Sequence, residues 1–548
     1  MPENSIFRRK SITNVLKQSD DAHGSGLIKV LGVRDLTSFG IAAIIGAGIF
    51  STIGRASFEG GPAVSLLFVF VSIACVFTAL CYAQFASMVP VSGSAYTYAY
   101  VSFGEIFAWI IGWALILEYA VSNMVVAISW SEYFVSMLTG FGIHFPDFLT
   151  FDYGTAHKAF LASQNGEKLV GGDLAAAQAY VNAPVVAGIK FLIDLPAGVI
   201  TMLVTALVYI GIKESRTASN FLVVLKLAVI FLVISVGFFY VKPENWSPFA
   251  PNGAKGVLGG VASVFFAFIG FDSISTTAEE CKNPQRDLPR AMIYCLIICA
   301  ILYVLITLVL TGMVNYTELK VDDPLAYVFQ KINLNFMAGV ISVSAVVAIT
   351  SALLVYQMGQ PRIWMSMSRD GLLWKRFSNI HPKFKTPSFA TIITGIVVAV
   401  PSLFLDMGFF VDLTSVGTFF AFILVCGGVL YLDHKGLSNN AKFKIPYING
   451  QYLVGILLVI ALLYTLSQGV LMSQITEKPL LVVFWLVWAS LAVMAFKYKF
   501  SILPVLGILT NLYLMTELGI TNWTIFLIWL AIGLVIYFSY GYRNSKLR

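Results

Sequence analysis

Two apolar stretches that glycine interrupts decide the fold of this chain: Ser38-Phe-Gly-Ile-Ala-Ala-Ile-Ile-Gly-Ala-Gly-Ile-Phe50 and Phe265-Phe-Ala-Phe-Ile-Gly-Phe-Asp-Ser273. Gly46 and Gly48 lie in the middle of the first stretch, and Gly270 lies two residues before a carboxylate in the second. Glycine destabilises a helix interior by about 1 kcal/mol relative to alanine, and a charged residue is costly within lipid. Each stretch therefore predicts a membrane helix that is broken near mid-depth.

The composition around these stretches is that of an all-α polytopic membrane protein. Of the 548 residues, 58% are hydrophobic and only 11% are charged, whereas about 25% are charged in a typical soluble domain. This excludes a soluble protein of several domains. A β-barrel is also excluded, because its strands would alternate in units of about ten residues, and the apolar runs here are continuous, as from Val64 to Met88.

Apolar runs predict about 14 spans, which are numbered here in chain order. A helix needs about 20 mostly apolar residues to cross the hydrocarbon core. The runs lie at 36–57, 62–89, 105–138, 196–212, 219–241, 256–280, 290–314, 335–366, 387–405, 411–432, 452–472, 479–496, 501–518 and 522–541. Span 3 is too long for an upright helix, so we expect it to tilt or to project from the bilayer.

The positions of lysine and arginine predict the orientation. With a cytoplasmic N-terminus, the internal segments hold 25 of the 35 Lys and Arg residues, and the external segments hold nine. Cytoplasmic loops carry such an excess, so both termini are expected in the cytoplasm, and the net charge of +7 needs no nucleic-acid partner. The connection at 141–195 is then external. It is either a plain surface loop or a lid over an entrance, with short helices expected at 156–161 and 174–180.

The two glycine breaks fall in spans 1 and 6, which are five spans apart. Because five is an odd number, the second unit must enter the membrane inverted relative to the first. Paired glycine-interrupted helices in corresponding spans are the best sequence sign of a transporter's binding site. The alternative is that these glycines only let helices pack closely.

The backbone chemistry of the breaks predicts the kind of ligand. Lipid offers no partner to backbone groups that are freed at mid-membrane. The N–H groups at Gly46–Gly48 lie at the positive end of a half-helix, where a carboxylate is favoured. Carbonyls near Ile44 and Ile45, and carbonyls near Phe266 and Ala267, suit an ammonium group. Together these groups suit a zwitterion, and an α-amino acid is the natural ligand.

Three ionisable residues inside the predicted spans are functional candidates, because charge is costly in lipid. Glu118 in span 3 either carries a proton or forms a structural hydrogen bond to a neighbouring helix. Lys226 in span 5 either acts at depth or extends its ammonium to the cytoplasmic surface. Asp272 either faces the cavity or caps the broken helix. Glu279 and Glu280 end span 6 and are expected to be solvated.

The sequence predicts no cofactor and no metal site. All five histidines, His23, His144, His157, His381 and His434, fall in predicted loops. Intramembrane haem or metal enzymes usually need histidine at depth. The six cysteines form no C-x-x-C pattern. A membrane enzyme is therefore disfavoured.

Several motifs resemble those of the amino acid–polyamine–organocation permeases, and most closely the cationic amino acid transporter branch. The resemblance runs from about residue 31 to residue 431, and the fourteen-span count is also similar to that branch. The motifs occur in the order Ile44-Ile-Gly-Ala-Gly-Ile-Phe50, Phe265-Phe-Ala-Phe-Ile-Gly-Phe-Asp272, Ala278-Glu-Glu280, Lys282-Asn-Pro-Gln-Arg-Asp-Leu-Pro289, Gly359-Gln-Pro-Arg-Ile363 and Met367-Ser-Arg-Asp-Gly-Leu372.

The resemblance implies a five-plus-five inverted-repeat transporter fold in which helices 1 and 6 are broken. The expected division of the chain is a cytoplasmic segment at 1–35, a ten-helix core at 36–433 that includes the external insertion at about 141–195, four additional helices at 434–541 and a cytoplasmic tail at 542–548.

The resemblance also implies roles for single residues. The backbone of the substrate would be held by Ile45, Gly46, Ala47, Gly48, Phe266, Ala267 and Ile269. Phe266 matches an aromatic gate, and Tyr356 matches a position that limits side-chain room. Glu118 matches the glutamate of the branch's third span. Lys226 matches a fifth-span lysine whose ammonium takes the place of sodium, while Thr350 and Ser351 leave a sodium site as the alternative.

The predicted function is that of a secondary amino acid transporter of the plasma (inner) membrane that works by alternating access. Transport is expected to be independent of sodium and coupled to protons. Neutral amino acids are the first expected substrates, and cationic ones, held by Glu118 or Asp272, are the second. An amino acid exchanger remains an alternative, as does a sensor that binds substrate without transporting it. The oligomeric state is left open.

Overall fold

A computed structural model describes residues 6–12, 15, 29–167, 169, 172–186, 188–321, 323–438, 441–468, 475–476 and 478–547. Most of the segment predicted at 1–35 lies outside the described residues, and so does the end of span 11, at 469–472.

The described residues are almost entirely helical, and every predicted span falls on helical segments. The unbroken spans are Val64–Met88, Glu105–Gly140, Leu195–Ile210, Ile212–Phe238, Pro284–Met313, Asn335–Arg369, Ser388–Ser402, Met407–His434, Leu453–Ser467, Leu480–Tyr498, Ile502–Thr516 and Ile520–Ile536. In the described part of the chain, nine helical segments are long and apolar enough to cross a membrane, and four shorter apolar helices form spans 4, 9, 11 and 13. The chain is an all-α polytopic membrane protein, as predicted.

Spans 1 and 6 are broken where the glycines predict. Span 1 consists of Val33–Ile44, an interruption at 45–47, a π-helical turn at Gly48–Thr52 and a second helix at Ile53–Gly60. Span 6 consists of short helices at Gly253–Gly259 and Val261–Phe266, an interruption at 267–270 and a 3₁₀ segment at Phe271–Glu280. This is the five-plus-five inverted-repeat fold with helices 1 and 6 broken.

Hydroxyl side chains account for the 3₁₀ form of the second half of span 6. Ser275 Oγ donates to the carbonyl of Asp272 (2.6 Å), and Thr276 and Thr277 repeat this contact three residues back at 2.7 and 2.8 Å. Such side chains compete with the regular backbone ladder. The segment therefore leaves the interruption at Gly270 as a tight helix that carries its polar groups inward.

Burial arranges the spans in an inner and an outer set. Within the most apolar stretch of each, span 6 is 94% buried and span 3 is 89% buried, whereas spans 12 and 14 are only 22% buried. A protein helix that faces lipid needs no cover on that side. Spans 3 and 6 therefore lie at the centre of the bundle, and spans 12 and 14 lie at its periphery. Span 3 has 36 residues, about 54 Å at 1.5 Å per residue, so it exceeds the hydrocarbon core as expected.

The insertion at 141–195 forms the two predicted helices, which are longer than expected, at Tyr153–Gln164 and Gly172–Asn182. A two-residue hairpin follows, in which Val185–Val186 pairs with Ile189–Lys190. Asp194 N–H donates to the Leu403 carbonyl (2.9 Å), and Lys158 forms an ion pair with Asp406. The insertion is therefore anchored on the connection between spans 9 and 10.

Both ends of the chain meet at one buried carboxylate, Glu105, at the start of span 3. Arg8 donates to both of its oxygens (2.9 and 2.8 Å). Tyr537, from the end of span 14, donates to the same group (2.9 Å), and so does Ser545 in the tail. The two termini thus lie on the same face of the bundle, as an even number of spans requires.

Candidate functional site

The interruptions of spans 1 and 6 face each other in direct contact. A Cβ atom on Gly48 would lie 2.4 Å from Ala267 Cα and 2.7 Å from Ala267 Cβ. A Cβ atom on Gly270, whose φ is +117°, would lie 2.7 Å from Ala43 Cβ. Glycine is required at these two positions, because a side chain would push the half-helices apart. The packing alternative and the broken-helix prediction therefore describe the same feature, since the close approach occurs at the breaks.

All the predicted site residues lie in the interior, and each is at most 4% exposed apart from the glycines, which are also buried. They are Ile44, Ile45, Gly46, Ala47, Gly48, Glu118, Lys226, Phe266, Ala267, Ile269, Asp272 and Tyr356. The site is closed to both faces of the bundle. A ligand can enter only when spans move relative to one another.

The interruption of span 1 has an amide available for an anion. Ile45 N–H and Gly46 N–H donate to the carbonyls of Ile41 (2.9 Å) and Ile44 (3.0 Å). Within the described residues, the amide of Ala47 has no acceptor. Unpaired amides at the start of a half-helix attract negative charge. This is the geometry expected for a carboxylate.

Three of the four carbonyls expected for an ammonium group, those of Ile44, Ile45 and Phe266, already accept hydrogen bonds. Tyr303 Oη donates to the carbonyl of Ile44 (2.7 Å), and Lys226 Nζ donates to that of Ile45 (2.5 Å). In span 6, the Phe266 carbonyl accepts the backbone N–H of Ile269 (3.2 Å), and Tyr356 Oη donates to the carbonyl of Ile269 (3.1 Å). A carbonyl oxygen has a second lone pair, so a substrate ammonium would have to share these oxygens.

Lys226 is fully buried and does not extend to the cytoplasmic surface, so that alternative is wrong. Its ammonium contacts the carbonyls of Ala42 (3.2 Å) and Ile45 (2.5 Å), where the first half of span 1 ends. The C-terminal end of a helix carries partial negative charge. The Lys226 side chain therefore satisfies carbonyls at the broken end of span 1.

The two hydroxyls of the span 8 pair donate to carbonyls of their own helix. Thr350 Oγ1 donates to the Val346 carbonyl (2.7 Å) and accepts from Trp130 Nε1 (2.9 Å). Ser351 Oγ donates to the Ala348 carbonyl (2.7 Å). These donations leave a lone pair on each oxygen, so the alternative of a sodium site stays open.

Two buried carboxylates lie beside the interruption of span 6. Asp272 Oδ2 accepts a hydrogen bond from Tyr119 Oη (3.2 Å). Asp272 Oδ1 and both carboxylate oxygens of Glu118 are buried and have no hydrogen-bond partner among the described residues. The nearby hydroxyl of Thr418 donates instead to the Thr414 carbonyl (3.0 Å). No hydrogen bond of normal geometry joins the Glu118 carboxylate to a neighbouring helix among the described residues, although Thr418 of span 10 lies beside it.

Two aromatic residues at the site were not predicted, Tyr119 and Tyr303. Tyr119 packs edge-on against Tyr356 (5.9 Å between ring centroids) and holds Asp272. A Cβ on Gly359 would lie 2.5 Å from the Tyr119 ring, so the glycine of the Gly359-Gln-Pro-Arg-Ile363 motif gives this ring its place. Tyr119 directly follows Glu118, and that adjacency is the signal that could have found it.

Two ion pairs lie at the end of span 6, on the face that carries the termini. Glu280 accepts two hydrogen bonds from the Arg362 Nη2 atom (2.7 and 2.9 Å), and both residues are buried. Glu279 pairs with Arg369 (3.1 Å). The prediction that Glu279 and Glu280 are solvated is therefore wrong for Glu280, because Arg362 compensates its charge. These pairs join the end of span 6 to span 8, and they connect motifs that the sequence left without a role.

Family models and known proteins match this chain over most of its length. A family model described as amino acid permease matches residues 31–490, and a model of the C-terminus of such permeases matches residues 501–545. The branched-chain amino acid permease BcaP of Bacillus subtilis is 38% identical over 99% of both chains. The methylthioribose transporter of Bacillus subtilis is 36% identical over 99% of both chains. The vacuolar cationic amino acid transporter 2 of Arabidopsis thaliana is 31% identical over 99% of this chain and 93% of its own.

Proposed function

Because the chain belongs to the amino acid permease family, we propose that it is a secondary transporter that moves α-amino acids by alternating access about spans 1 and 6. The contact between the two interruptions supports this proposal most strongly. Gly48 abuts Ala267, and the neighbouring Ala47 amide is unpaired. Opposed half-helices of this kind bind the charged ends of a substrate in inverted-repeat transporters.

Neutral amino acids with apolar side chains are the proposed first substrates. Phe266, Ile269 and Tyr356 supply an apolar wall beside the interruptions, and a relative that is 38% identical is a branched-chain amino acid permease. Cationic amino acids are the second candidates, because the unpaired oxygens of Glu118 and Asp272 could accept an ammonium. Cationic amino acid transporters occur among the relatives.

Proton coupling without sodium is the proposed energy source. Lys226 donates hydrogen bonds to the carbonyls at the broken end of span 1. Its ammonium therefore takes the place of a coupling cation such as sodium. A carboxylate without partners in a dry interior favours its protonated form, and Glu118 has no partner in the described structure. Glu118 is the proposed proton carrier. Amino acid exchange is the alternative mode for the same site.

The proposed location is the plasma (inner) membrane, with both termini in the cytoplasm. The excess of Lys and Arg on the face that carries the termini supports this orientation. The proposed division keeps the transport core at 36–433, places the four helices at 434–541 beside it, and leaves the insertion at 141–195 outside, where it could act as a lid.

A binding screen followed by transport tests the proposal. The purified protein is screened by thermal shift against the twenty amino acids and methylthioribose, and each ligand that raises Tm is tested for counterflow in proteoliposomes. Counterflow of neutral amino acids, with loss of a pH gradient when substrate is added, supports proton symport. Strict dependence on internal substrate supports exchange. Binding without flux would favour a sensor, and stabilisation by methylthioribose alone would overturn the zwitterion site.

A further inference from the structure

A cavity of about 900 Å³ lies between the end of span 6 and the start of span 7, apart from the proposed substrate site. Its only lining acid among the described residues is Glu279. The cations that line it are Lys29, Lys282, Arg286, Arg290 and Lys442. The cavity thus collects five positive charges and one negative charge. Positive charge is common on a cytoplasmic face, but that rule does not require it to converge on one cavity.

Backbone pairing fixes the two segments that carry Lys29 and Lys282 against each other. Val30 N–H donates to the carbonyl of Glu280 (3.0 Å), and Lys282 N–H donates to that of Leu31 (2.9 Å). The parallel bridge between Leu31 and Cys281 follows Lys29 by two residues on one segment and precedes Lys282 by one residue on the other. Burial raises the pKa of the Cys281 thiol to about 12, although the positive charges of Lys29 and Arg286 act in the opposite direction. Lys29 and Arg286 are therefore both close to Cys281.

Most of this charge is uncompensated among the residues that the structure describes. Arg286 pairs with Asp287 (2.8 Å), and the acid Glu279 is already bound to Arg369 (3.1 Å). Lys29, Lys282, Arg290 and Lys442 form neither a hydrogen bond through their side chains nor an ion pair with any described residue. Like charges in one cavity repel one another. An anion that entered the cavity would relieve this repulsion.

The cavity opens at the lipid-facing edge of span 7. Arg290 is exposed, and Tyr294, Ile297 and Ile301, which follow it at intervals of four, seven and eleven residues, are about half exposed. Residues at this spacing share one helix face. An apolar stripe that faces lipid therefore ends at Arg290, and this places the cavity at the depth of lipid headgroups.

We propose that this cavity binds the phosphate group of an anionic lipid headgroup. Basic pockets at the cytoplasmic ends of membrane helices suit such headgroups, and guanidinium groups match phosphate oxygens in geometry and charge. Arg290 would contact the phosphate from the lipid side, and Lys29, Lys282 and Lys442 would surround it. The proposal does not depend on which substrate the protein transports.

Binding of phosphatidylglycerol and phosphatidylcholine to the purified full-length protein, measured by native mass spectrometry, tests the proposal. The protein with Lys282→Gln and Arg290→Gln is compared with a matched control, Lys375→Gln and Arg376→Gln, which removes one lysine and one arginine that are exposed on the same face but do not line the cavity. The loss of two positive charges in the Lys282→Gln and Arg290→Gln protein should weaken its binding of phosphatidylglycerol about 30-fold. The control should bind it like the unmodified protein.

A second arm separates lipid from soluble phosphate. Inorganic phosphate is added to the protein in nanodiscs of phosphatidylcholine alone, and Tm is recorded. Stabilisation by inorganic phosphate together with equal binding of the two lipids would overturn the lipid assignment. Equal weakening in both double variants would overturn the site. If the first variant fails to fold, Lys29→Gln with Lys442→Gln, two exposed lysines of the same cavity, provides the same test.

Discussion

The buried carboxylate of Glu118 costs free energy when it is charged, and it can lower this cost by binding a proton or a cation. Its two carboxylate oxygens are buried without a described partner, in a span whose most apolar stretch is 89% buried. A charge left in that state would cost several kcal/mol, so a bound proton or a cationic ligand must accompany it for part of the transport cycle. Asp272 is less isolated, because Tyr119 donates to one of its oxygens.

Glu118→Gln should flatten the pH dependence of uptake while substrate binding persists. The amide has the shape of the carboxyl group but cannot exchange a proton, so a proton-coupled step at this residue is lost. Uptake is measured in proteoliposomes between about pH 5 and pH 8. The matched control is Glu318→Gln, a half-buried glutamate in the connection between spans 7 and 8 that pairs with Lys331. An unchanged pH profile in Glu118→Gln would assign the proton to another group.

At the scale of the element, the contact between spans 1 and 6 explains why glycine is required at the breaks. A side chain at Gly48 would not have free space, because its Cβ would lie 2.4 Å from the Cα of Ala267. The unpaired amide of Ala47 lies next to this contact. Any separation of the half-helices therefore also moves the proposed carboxylate site.

Gly48→Ala should reduce uptake at least tenfold, and Gly48→Val should abolish it, because each added atom overlaps with the backbone of span 6. Uptake per folded protein is measured after size-exclusion chromatography. Gly339→Ala is the control, since a Cβ at Gly339 would meet no atom within 4 Å. Full uptake by Gly48→Val would show that the breaks do not form the substrate site.

The ion pair between Glu280 and Arg362 is a second contact between elements, since it joins span 6 to span 8. Breaking a buried pair by removing one partner costs about 3–5 kcal/mol, because the other charge is left uncompensated. Glu280→Gln and Arg362→Gln should each lower Tm, and the double variant should recover much of the loss. A double-mutant cycle on Tm measures the coupling. Additive losses would mean that the pair does not hold span 6 to span 8.

At the scale of the whole molecule, three spans separate the N-terminus from the insertion, so the two lie on opposite faces, and the proposed orientation puts the insertion outside. All six cysteines are buried, so a cysteine introduced at an exposed position can be labelled selectively. Ser163 in the insertion and Lys375 in the connection between spans 8 and 9 are both exposed.

In intact cells, an impermeant maleimide should label Ser163→Cys and should leave Lys375→Cys unlabelled until the membrane is opened. The reason is the excess of Lys and Arg on the side of Lys375. Labelling is read by gel shift, and the unmodified protein serves as the control for the native cysteines. The reverse labelling pattern would invert the orientation.

The sequence by itself determined the architecture, because hydrophobic length and glycine position are local properties. Apolar runs predicted all the helical spans, the paired glycines predicted the two interruptions, and the short helices of the insertion were also predicted. Lipid satisfies no backbone group, so a long apolar run can only be a helix, and a break in it must be compensated by protein.

Only the tertiary structure decided which groups meet. It placed the Lys226 ammonium on the carbonyls of Ala42 and Ile45, buried Glu280 against Arg362 and positioned Tyr119 at Asp272. These contacts join spans that are distant in the chain, and the free energy of a buried charge depends on its nearest atoms rather than on its neighbours in sequence. Solvation at a helix end was therefore the wrong expectation for Glu280, since its partner lies 82 residues away.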